Sequence, residues 1–248
     1  MPKPPQSVIT IYGRKPVLEA LQQVELTIYR VHLANSNQPG PIIREIESLA
    51  LQRGIECHYH ERLALSRISK NRKQDQGVAA DVINPNAVEI EAFPKLDSPS
   101  TRLMALENIT NPQNLGMIIR TVAASAMDGL LLPRRGCAKL DSLVIKASAG
   151  AIFRSNLIFC DDLMTALNRL KNNGFSVYGL ALHDSQPLGT ITMQNPYVIV
   201  LGNETSGLST SVCKLCDQLL HIPMHNGVES LNVSVAAGIL AFMECRQN

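Results

Sequence analysis

Tryptophan is missing from this chain of 248 residues, and the remaining aromatic surface is five phenylalanines and five tyrosines. That scarcity excludes a broad platform on which unpaired bases could stack. Charge is sparse as well. Charged residues make up 18% of the chain, which argues against long disorder, and a net charge of +2 is too small to mark nucleic-acid binding by itself. No apolar run approaches membrane-spanning length, and the opening Met1-Pro2-Lys3-Pro4-Pro5 has no apolar stretch of the secretory kind. The six cysteines are scattered at 57, 137, 160, 213, 216 and 245, as reduced thiols would be. The expectation is a cytoplasmic protein with no membrane partner. Also absent is the G-x-G-x-x-G turn that a nicotinamide dehydrogenase needs.

What is present is apolar patterning, at 45% hydrophobic residues enough for a sizeable core. Residues 7–83 read as a small α/β unit. Helical spacing runs from Gly13 to Gln22 and from Pro41 to Arg53; strand patterns occupy Ile28–Leu33, Ile55–Tyr59 and Gly77–Ile83. Residues 84–100 turn proline-rich and read as a linker. From residue 101 to 248, strand candidates (Arg102–Leu106, Gly129–Leu132, Phe175–Leu182, Tyr197–Leu201, Gln218–Ile222) alternate with helical patterns. The helical stretches are Leu115–Ala126, Asp141–Ile152, Asp162–Asn172, Thr210–Cys216 and a last one from Val233 to Met243. Such alternation predicts a mainly parallel sheet with helices on both faces, and ligands in these sheets sit beyond the carboxyl ends of strands.

Three segments at those ends carry polar residues that a core would not require. The first, Glu107 to Thr121, opens a helix; Asn114 is the expected N-cap, which puts Arg120 in the second helical turn, emerging beside apolar neighbours. On spacing alone Arg120 could equally be an arginine snorkelling from a core helix. The second, Leu201-Gly202-Asn203-Glu204-Thr205-Ser206-Gly207-Leu208, has the glycine spacing of a phosphate loop but places Leu208 where a lysine is needed and Glu204 inside the cradle. An ordinary Gly-rich turn is the plainer alternative. In the third, Ile222-Pro223-Met224 is followed by Ser230-Leu231-Asn232, and both Ser230 and Asn232 could cap the last helix where one cap suffices. The Cys213-x-x-Cys216 pair lacks a matching second pair and reads as packed thiols; His58 and His60 read as packing on an edge strand.

Together, Asn114-Leu115-Gly116-x-x-x-Arg120-Thr121, Leu201-Gly202-Asn203-Glu204-x-x-Gly207-Leu208 and Ile222-Pro223-Met224 through Ser230-Leu231-Asn232-Val233-Ser234-Val235-Ala236 resemble the three ordered motifs of the SpoU (TrmH-like) RNA 2′-O-methyltransferases of the SPOUT superfamily. Ile11 to Leu21 and Gln76-Gly77-Val78-Ala79-Ala80 resemble the opening and the closing strand of that family's L30e-like substrate-binding domain. The two-domain form most resembles the 23S rRNA guanosine 2′-O-methyltransferases of the RlmB type. The resemblance implies an α/β catalytic domain tied in a trefoil knot, an S-adenosylmethionine pocket in that knot, and a homodimer.

The resemblance also implies roles. Arg120 is the catalytic residue, and because a guanidinium stays protonated its expected work is to grip phosphate and stabilise developing alkoxide charge. Asn114, Ser230 and Asn232 would orient Arg120 and the ribose, with Glu204 anchoring side chains across the site. Gly202, Ile222 and Leu231 are the expected cofactor contacts, with Asn203 and Met224 behind them. No metal is required, since the leaving group is a neutral thioether. Local charge at Arg14, Lys15, Lys70, Arg72 and Lys73 is the expected RNA surface, and rRNA the expected partner. The alternatives are a tRNA substrate and a non-catalytic RNA-binding assembly protein of the same fold.

Overall fold

The computed structural model describes residues 8–69, 71–84 and 86–243, apart from the side chain of Ser142, and divides into two units. The first comprises the chain up to Pro85 together with Leu140–Lys146; the second holds the rest.

The first unit runs β1 (Val8–Tyr12), α1 (Arg14–Gln22), β2 (Thr27–Ala34), α2 (Pro41–Gln52), β3 (Cys57–His60), α3 (Arg62–Ser69) and β4 (Val78–Ile83). Its strands form one sheet in the order β1-β4-β2-β3, with only β2 and β3 parallel. Val17, Ala20 and Leu21 of α1 and Ile43, Ile46 and Ala50 of α2 are buried at helical spacing, and the two helices pack together. Arg53, just past α2, donates to the carbonyls of Leu21 at 2.8 Å, Gln23 at 3.2 Å and Leu26. It thereby satisfies carbonyls that the end of α1 leaves open.

β3 is the edge strand, as its sequence suggested, and its histidines face a polar cluster. His32, 4% exposed, has Nδ1 2.9 Å from His60 Nε2 and Nε2 3.1 Å from Asp81 Oδ2. Thr10 donates to the other oxygen of Asp81 at 2.7 Å. Burial alone would raise the Asp81 carboxyl, but the bonds from His32 and Thr10 bring it below its ordinary range. The β1 strand and α3 are additions to the sequence reading: β1 was hidden in the approach to Gly13, and α3 is a short polar helix with Leu65 and Ser69 buried.

The second unit is built on eight parallel strands in the order β10-β12-β9-β11-β6-β7-β8-β5. These are β5 (Ala87–Glu89), β6 (Arg102–Leu106), β7 (Gly129–Pro133), β8 (Leu157–Cys160), β9 (Ser176–Leu180), β10 (Gln186–Pro187), β11 (Tyr197–Leu201) and β12 (Gln218–His221). A parallel sheet covered on both faces needs continuous apolar strands, and Leu103–Leu106 and Val198–Leu201 are completely buried. The helices are α4 (Pro112–Ala124), α5 (Ser142–Ala147, most of which groups with the first unit), α6 (Leu163–Asn172), α7 (Thr210–Leu215) and α8 (Val233–Phe242). On one face, Leu103, Ala105, Val177, Val198 and Val200 pack with Leu163, Ala166, Leu167 and Leu170 of α6 and Val212 of α7. α4 packs on α8 and β7. Gly179 is obligatory in β9: a Cβ there would lie 2.8 Å from Cys216 Sγ and from Leu208 and Leu219 carbons.

Four readings are corrected. The 84–100 stretch is not a free linker, because β5 pairs with β8 and Phe93 and Leu96 enter the core. Asn114 does not cap α4; Asn111 does, accepting from the N–H groups of Gln113 at 2.8 Å and Asn114 at 3.3 Å, with Pro112 in the first turn. Arg120 therefore lies in the third turn of α4 and not the second. The Asp141–Ile152 helix breaks after Ala147, where Ala149 and Gly150 take positive φ and a single 3₁₀ turn follows. Among the described residues, no helix is long and apolar enough to cross a membrane.

Candidate active site

Because all eight strands run the same way, the loops after β6, β9, β11 and β12 leave one edge of the sheet together. The chain moves outward from β6 through β7 to β8, then crosses to β9 and returns to lay β11 against the other side of β6. That reversal is a topological switch point, where a crevice opens between diverging loops.

Side-chain amides join these loops. Asn114, in the first turn of α4 and only 6% exposed, donates from Nδ2 to Glu204 of the β11 loop. Its Oδ1 accepts from Asn232 Nδ2 at 3.1 Å. Asn232 is the N-cap of α8, and its own Oδ1 accepts from the Ser234 N–H at 2.9 Å and the Ser234 hydroxyl at 2.6 Å. The chain Glu204–Asn114–Asn232–Ser234 thus ties together residues separated by as much as 118 positions. Each amide uses donor and acceptor at once, so neither side chain can rotate without breaking two bonds. Ser234 also comes within 3.9 Å of Met117 Sδ, one turn before Arg120 on α4.

A second set of bonds shapes the β11 loop. Glu107 accepts from the Ser209 N–H at 2.8 Å, and Asn203 Nδ2 donates to the Asn108 carbonyl at 2.9 Å. Asn203 Oδ1 accepts from the N–H groups of Thr205 at 2.9 Å and Ser206 at 3.2 Å, while its backbone exchanges bonds with Gly207. The loop folds back so tightly that a Cβ on Gly202 would sit 2.3 Å from the Gly207 carbonyl carbon. No side chain fits there.

The open groups lie around this braced frame. Gly202, Ile222, Met224 and Leu231 have no backbone hydrogen bond to another described residue, so their N–H and C=O groups are free to meet a ligand. Ile222 and Met224 are half-buried, and Leu231 is 38% exposed. Free backbone donors and acceptors beside apolar side chains fit a flat, uncharged ring. Arg120 is exposed, and its side chain has no hydrogen bond or ion pair with a described residue. Ser230 is exposed and stands outside the amide chain.

Residues 101–242 match the SpoU rRNA Methylase family, and residues 10–88 match the RNA 2′-O ribose methyltransferase substrate binding family. The chain belongs to the SpoU rRNA methylase family. A relative named tRNA/rRNA methyltransferase in Mycolicibacterium vanbaalenii is 36% identical over 243 residues, 96% of this chain and 76% of its own length. The fold is shared with an AdoMet-bound rRNA methyltransferase from Sinorhizobium meliloti, at 22% identity and a TM-score of 0.67 over 97% of this chain and 88% of that one. A protein described in connection with 2-OH methylation of C/U34 on tRNA matches 60% of this chain and 97% of its own, at 26% identity and a TM-score of 0.54.

Against the sequence reading, this SpoU-family site brings Asn114, Glu204 and Asn232 together and leaves Arg120 and Ser230 unattached. Asn203 is engaged in bracing its own loop, so its side chain is not open to a cofactor. Asn111, Glu107 and Ser234 were missed. Asn111 had a readable signal, an asparagine directly before a proline at a helix start. Arg134, part of a basic pair after β7, is engaged structurally: it pairs with Glu89, lies 3.7 Å from Asp161 and stacks on Phe159 at 4.9 Å. In the first unit, Lys15, Arg72 and Lys73 are exposed and Arg14 half-exposed, while Lys70 lies outside the described residues. The paired thiols are held protonated, Cys213 raised by burial and Cys216 pushed up to about 12 by burial.

Proposed function

We propose that this protein methylates a ribose 2′-OH of structured RNA, using S-adenosylmethionine. The observation that carries the reading is the amide chain from Glu204 through Asn114 to Asn232. It fixes three strand-end loops around open backbone groups, and Arg120, on the same helix as Asn114, is left exposed with no side-chain partner among the described residues. The cofactor, when bound, supplies a methyl group on a sulfonium sulfur. Gly202, Ile222, Met224 and Leu231 would hold its ring through backbone groups and apolar contact.

Arg120 is a permanent cation, so it cannot take the proton from the 2′-OH. Its part is to bind the neighbouring phosphate and to stabilise the charge that grows on the attacking oxygen. Asn114, immobilised by Glu204, orients the sugar; Ser230 reaches it from the exposed loop. Glu204 spends one oxygen on Asn114, which leaves the other as the site's candidate proton acceptor.

The finer reading is a guanosine of 23S rRNA as target, with residues 7–83 as an L30e-like RNA-binding domain and residues 101–248 as a trefoil-knotted catalytic domain. The family matches support an rRNA substrate and a substrate-binding role for the first unit; the guanosine, the L30e-like fold and the knot rest on the resemblance of the motifs. A homodimer is supported by the apolar side chains exposed on the two packed helices α4 and α8: Met117, Val235, Ile239 and Phe242, each between 38% and 50% exposed. A cytoplasmic location follows from an RNA substrate. The tRNA alternative is favoured by the tRNA-linked relative, which has no counterpart to much of this chain.

The test is a map of ribose 2′-O-methyl marks in total RNA from a deletion strain. Loss of one 23S rRNA guanosine mark is expected. A lost tRNA mark with an unchanged rRNA map would overturn the ribosomal reading.

A further inference from the structure

The basic edge of the first unit is braced from inside by an acid. β1, β2 and β3 all finish, and β4 begins, at one end of the small sheet: Tyr12 and His32 both oppose Ala79, and His60 opposes Ala34. The loop residues Asn71 to Gly77 close that end. Asp75 lies among them, 0% exposed. One oxygen of Asp75 accepts from the Gly77 N–H at 3.0 Å and from the Arg62 guanidinium; the other accepts from the Ser69 hydroxyl at 2.8 Å. Arg62 in turn donates to the Arg72 carbonyl at 3.1 Å. A single carboxylate therefore ties the end of α3 to the end of the loop and, through Arg62, to its middle.

Gln76 carries the bracing across to α1. Its φ is +50°, a left-handed conformation unusual for a side-chain-bearing residue. In that pose its side-chain oxygen accepts from the Arg14 N–H at 3.1 Å, and its carbonyl accepts from Arg14 Nε at 3.3 Å. The N-cap of α1 is Gly13, which has no side chain to cap with. Gln76 provides the acceptor from across the sheet end. Asn71 adds a bond to the Tyr12 hydroxyl at 3.0 Å. The result is that Arg14 and Lys15, on one segment, are fixed relative to Arg72 and Lys73 on another.

An acid here is opposed to simple attraction of an anion, and burying it is costly unless every oxygen is matched. A loop needing only positive charge would not contain it. We propose that Asp75 and Gln76 are positioning residues for RNA recognition, holding Arg14, Lys15, Arg72 and Lys73 as a rigid array that selects one folded backbone shape. The inference rests on the reading of this unit as RNA-binding. A preformed array loses less loop freedom on binding, and it rewards phosphates at the right spacing over phosphates in general.

The sign of one variant separates shape from charge. Asp75→Asn removes a negative charge, so attraction alone predicts unchanged or tighter binding to any RNA. Positioning predicts about tenfold weaker binding to a folded 23S rRNA transcript, with binding to unstructured oligouridylate unchanged or tighter. Gln76→Ala changes no charge and is expected to weaken the folded transcript alone, by about threefold; it carries the test if Asp75→Asn fails to fold. Equal affinities for wild type and for the folded variants on the transcript would overturn the inference. The double variant Arg72→Glu, Lys73→Glu tests the underlying reading, since it must weaken both RNAs. If it weakens neither, the RNA-binding reading falls; if it weakens both while Asp75→Asn and Gln76→Ala bind normally, only the positioning role falls.

Discussion

The end of the small sheet and the carboxyl edge of the large one both brace loops with a carboxylate, but give it different partners. At the small sheet, a buried carboxylate and a guanidinium brace a loop whose exposed residues are cations. At the large sheet, the Glu204 carboxylate holds two neutral amides that brace three loops whose open groups are mostly backbone. The difference follows from what each edge must leave free. Charged bracing is tolerable beneath a surface that meets polyanionic backbone at its outer rim. Beside a flat, uncharged ring the guanidinium is replaced by amides, which pass the hold of the Glu204 carboxylate from loop to loop without a buried cation. At the small sheet Asp75 and Gln76 hold the loop without joining the exposed cations, whereas at the large one Asn114 and Glu204 are both braces and site groups.

That contrast can be broken from either side. The largest effect is expected from Arg120→Ala, which removes the free cation and touches no bracing bond. Methyl transfer should fall by about 10²–10³-fold, while S-adenosylmethionine affinity measured by calorimetry stays within about twofold. A parallel loss of cofactor affinity would assign Arg120 to the frame instead.

Gly202→Ala attacks the frame through packing. The added methyl has no room against Gly207, and overpacking of this kind costs about 1–3 kcal/mol. Chemical denaturation should show that loss, together with weakened cofactor binding. Asn232→Ala removes the cap of α8 and one link of the amide chain, with an expected cost of about 0.5–2 kcal/mol. Asn232→Ser should recover part of the cap but not the bond to Asn114. Equal stability and activity in the two variants would mean that the link between loops contributes nothing beyond the cap.

The smallest effect belongs to the small sheet. Burial, and then repulsion from His32, His58 and Arg30, lower the His60 imidazole below its ordinary range. The unfolded chain therefore binds this proton more readily than the folded one. The stability His60 contributes is present above its ordinary value and is lost as pH falls toward the lowered one. His60→Gln should flatten the melting temperature of the first unit between neutral pH and mild acid, while the further decline from Asp81 at lower pH persists. An unchanged profile would remove His60 as the cause.

Much of this arrangement was legible in the chain. Apolar runs such as Leu103–Leu106 and Val198–Leu201 announce strands buried on both faces, and their last residues mark where the site must be. Ser230 and Asn232 could be nominated because two polar residues stand where one cap suffices, while Asn114 and Glu204 were nominated through the resemblance of their motifs. The joining of Asn114 to Asn232 could not be read, since it depends on which loops meet and no local pattern encodes that. β5 was hidden because three residues, Ala87–Glu89, make too short a pattern amid prolines. Asp75 was hidden for a different reason: in sequence it is one acid within a basic, polar loop, and only burial distinguishes it from a solvated one.

Cys216 gives the catalytic unit an unplanned sensor. Its sulfur sits against the Cα of Gly179, where Leu208 from the loop that carries Glu204 also converges. A thiol held at about 12 is unreactive toward electrophiles, because the attacking species is the thiolate. An excursion of that loop away from β9 would lift part of the burial that holds the thiol protonated, while the charge of Asp217 beside it remains. The rate of chemical labelling at this one atom would thus report any departure of Leu208 from the strand.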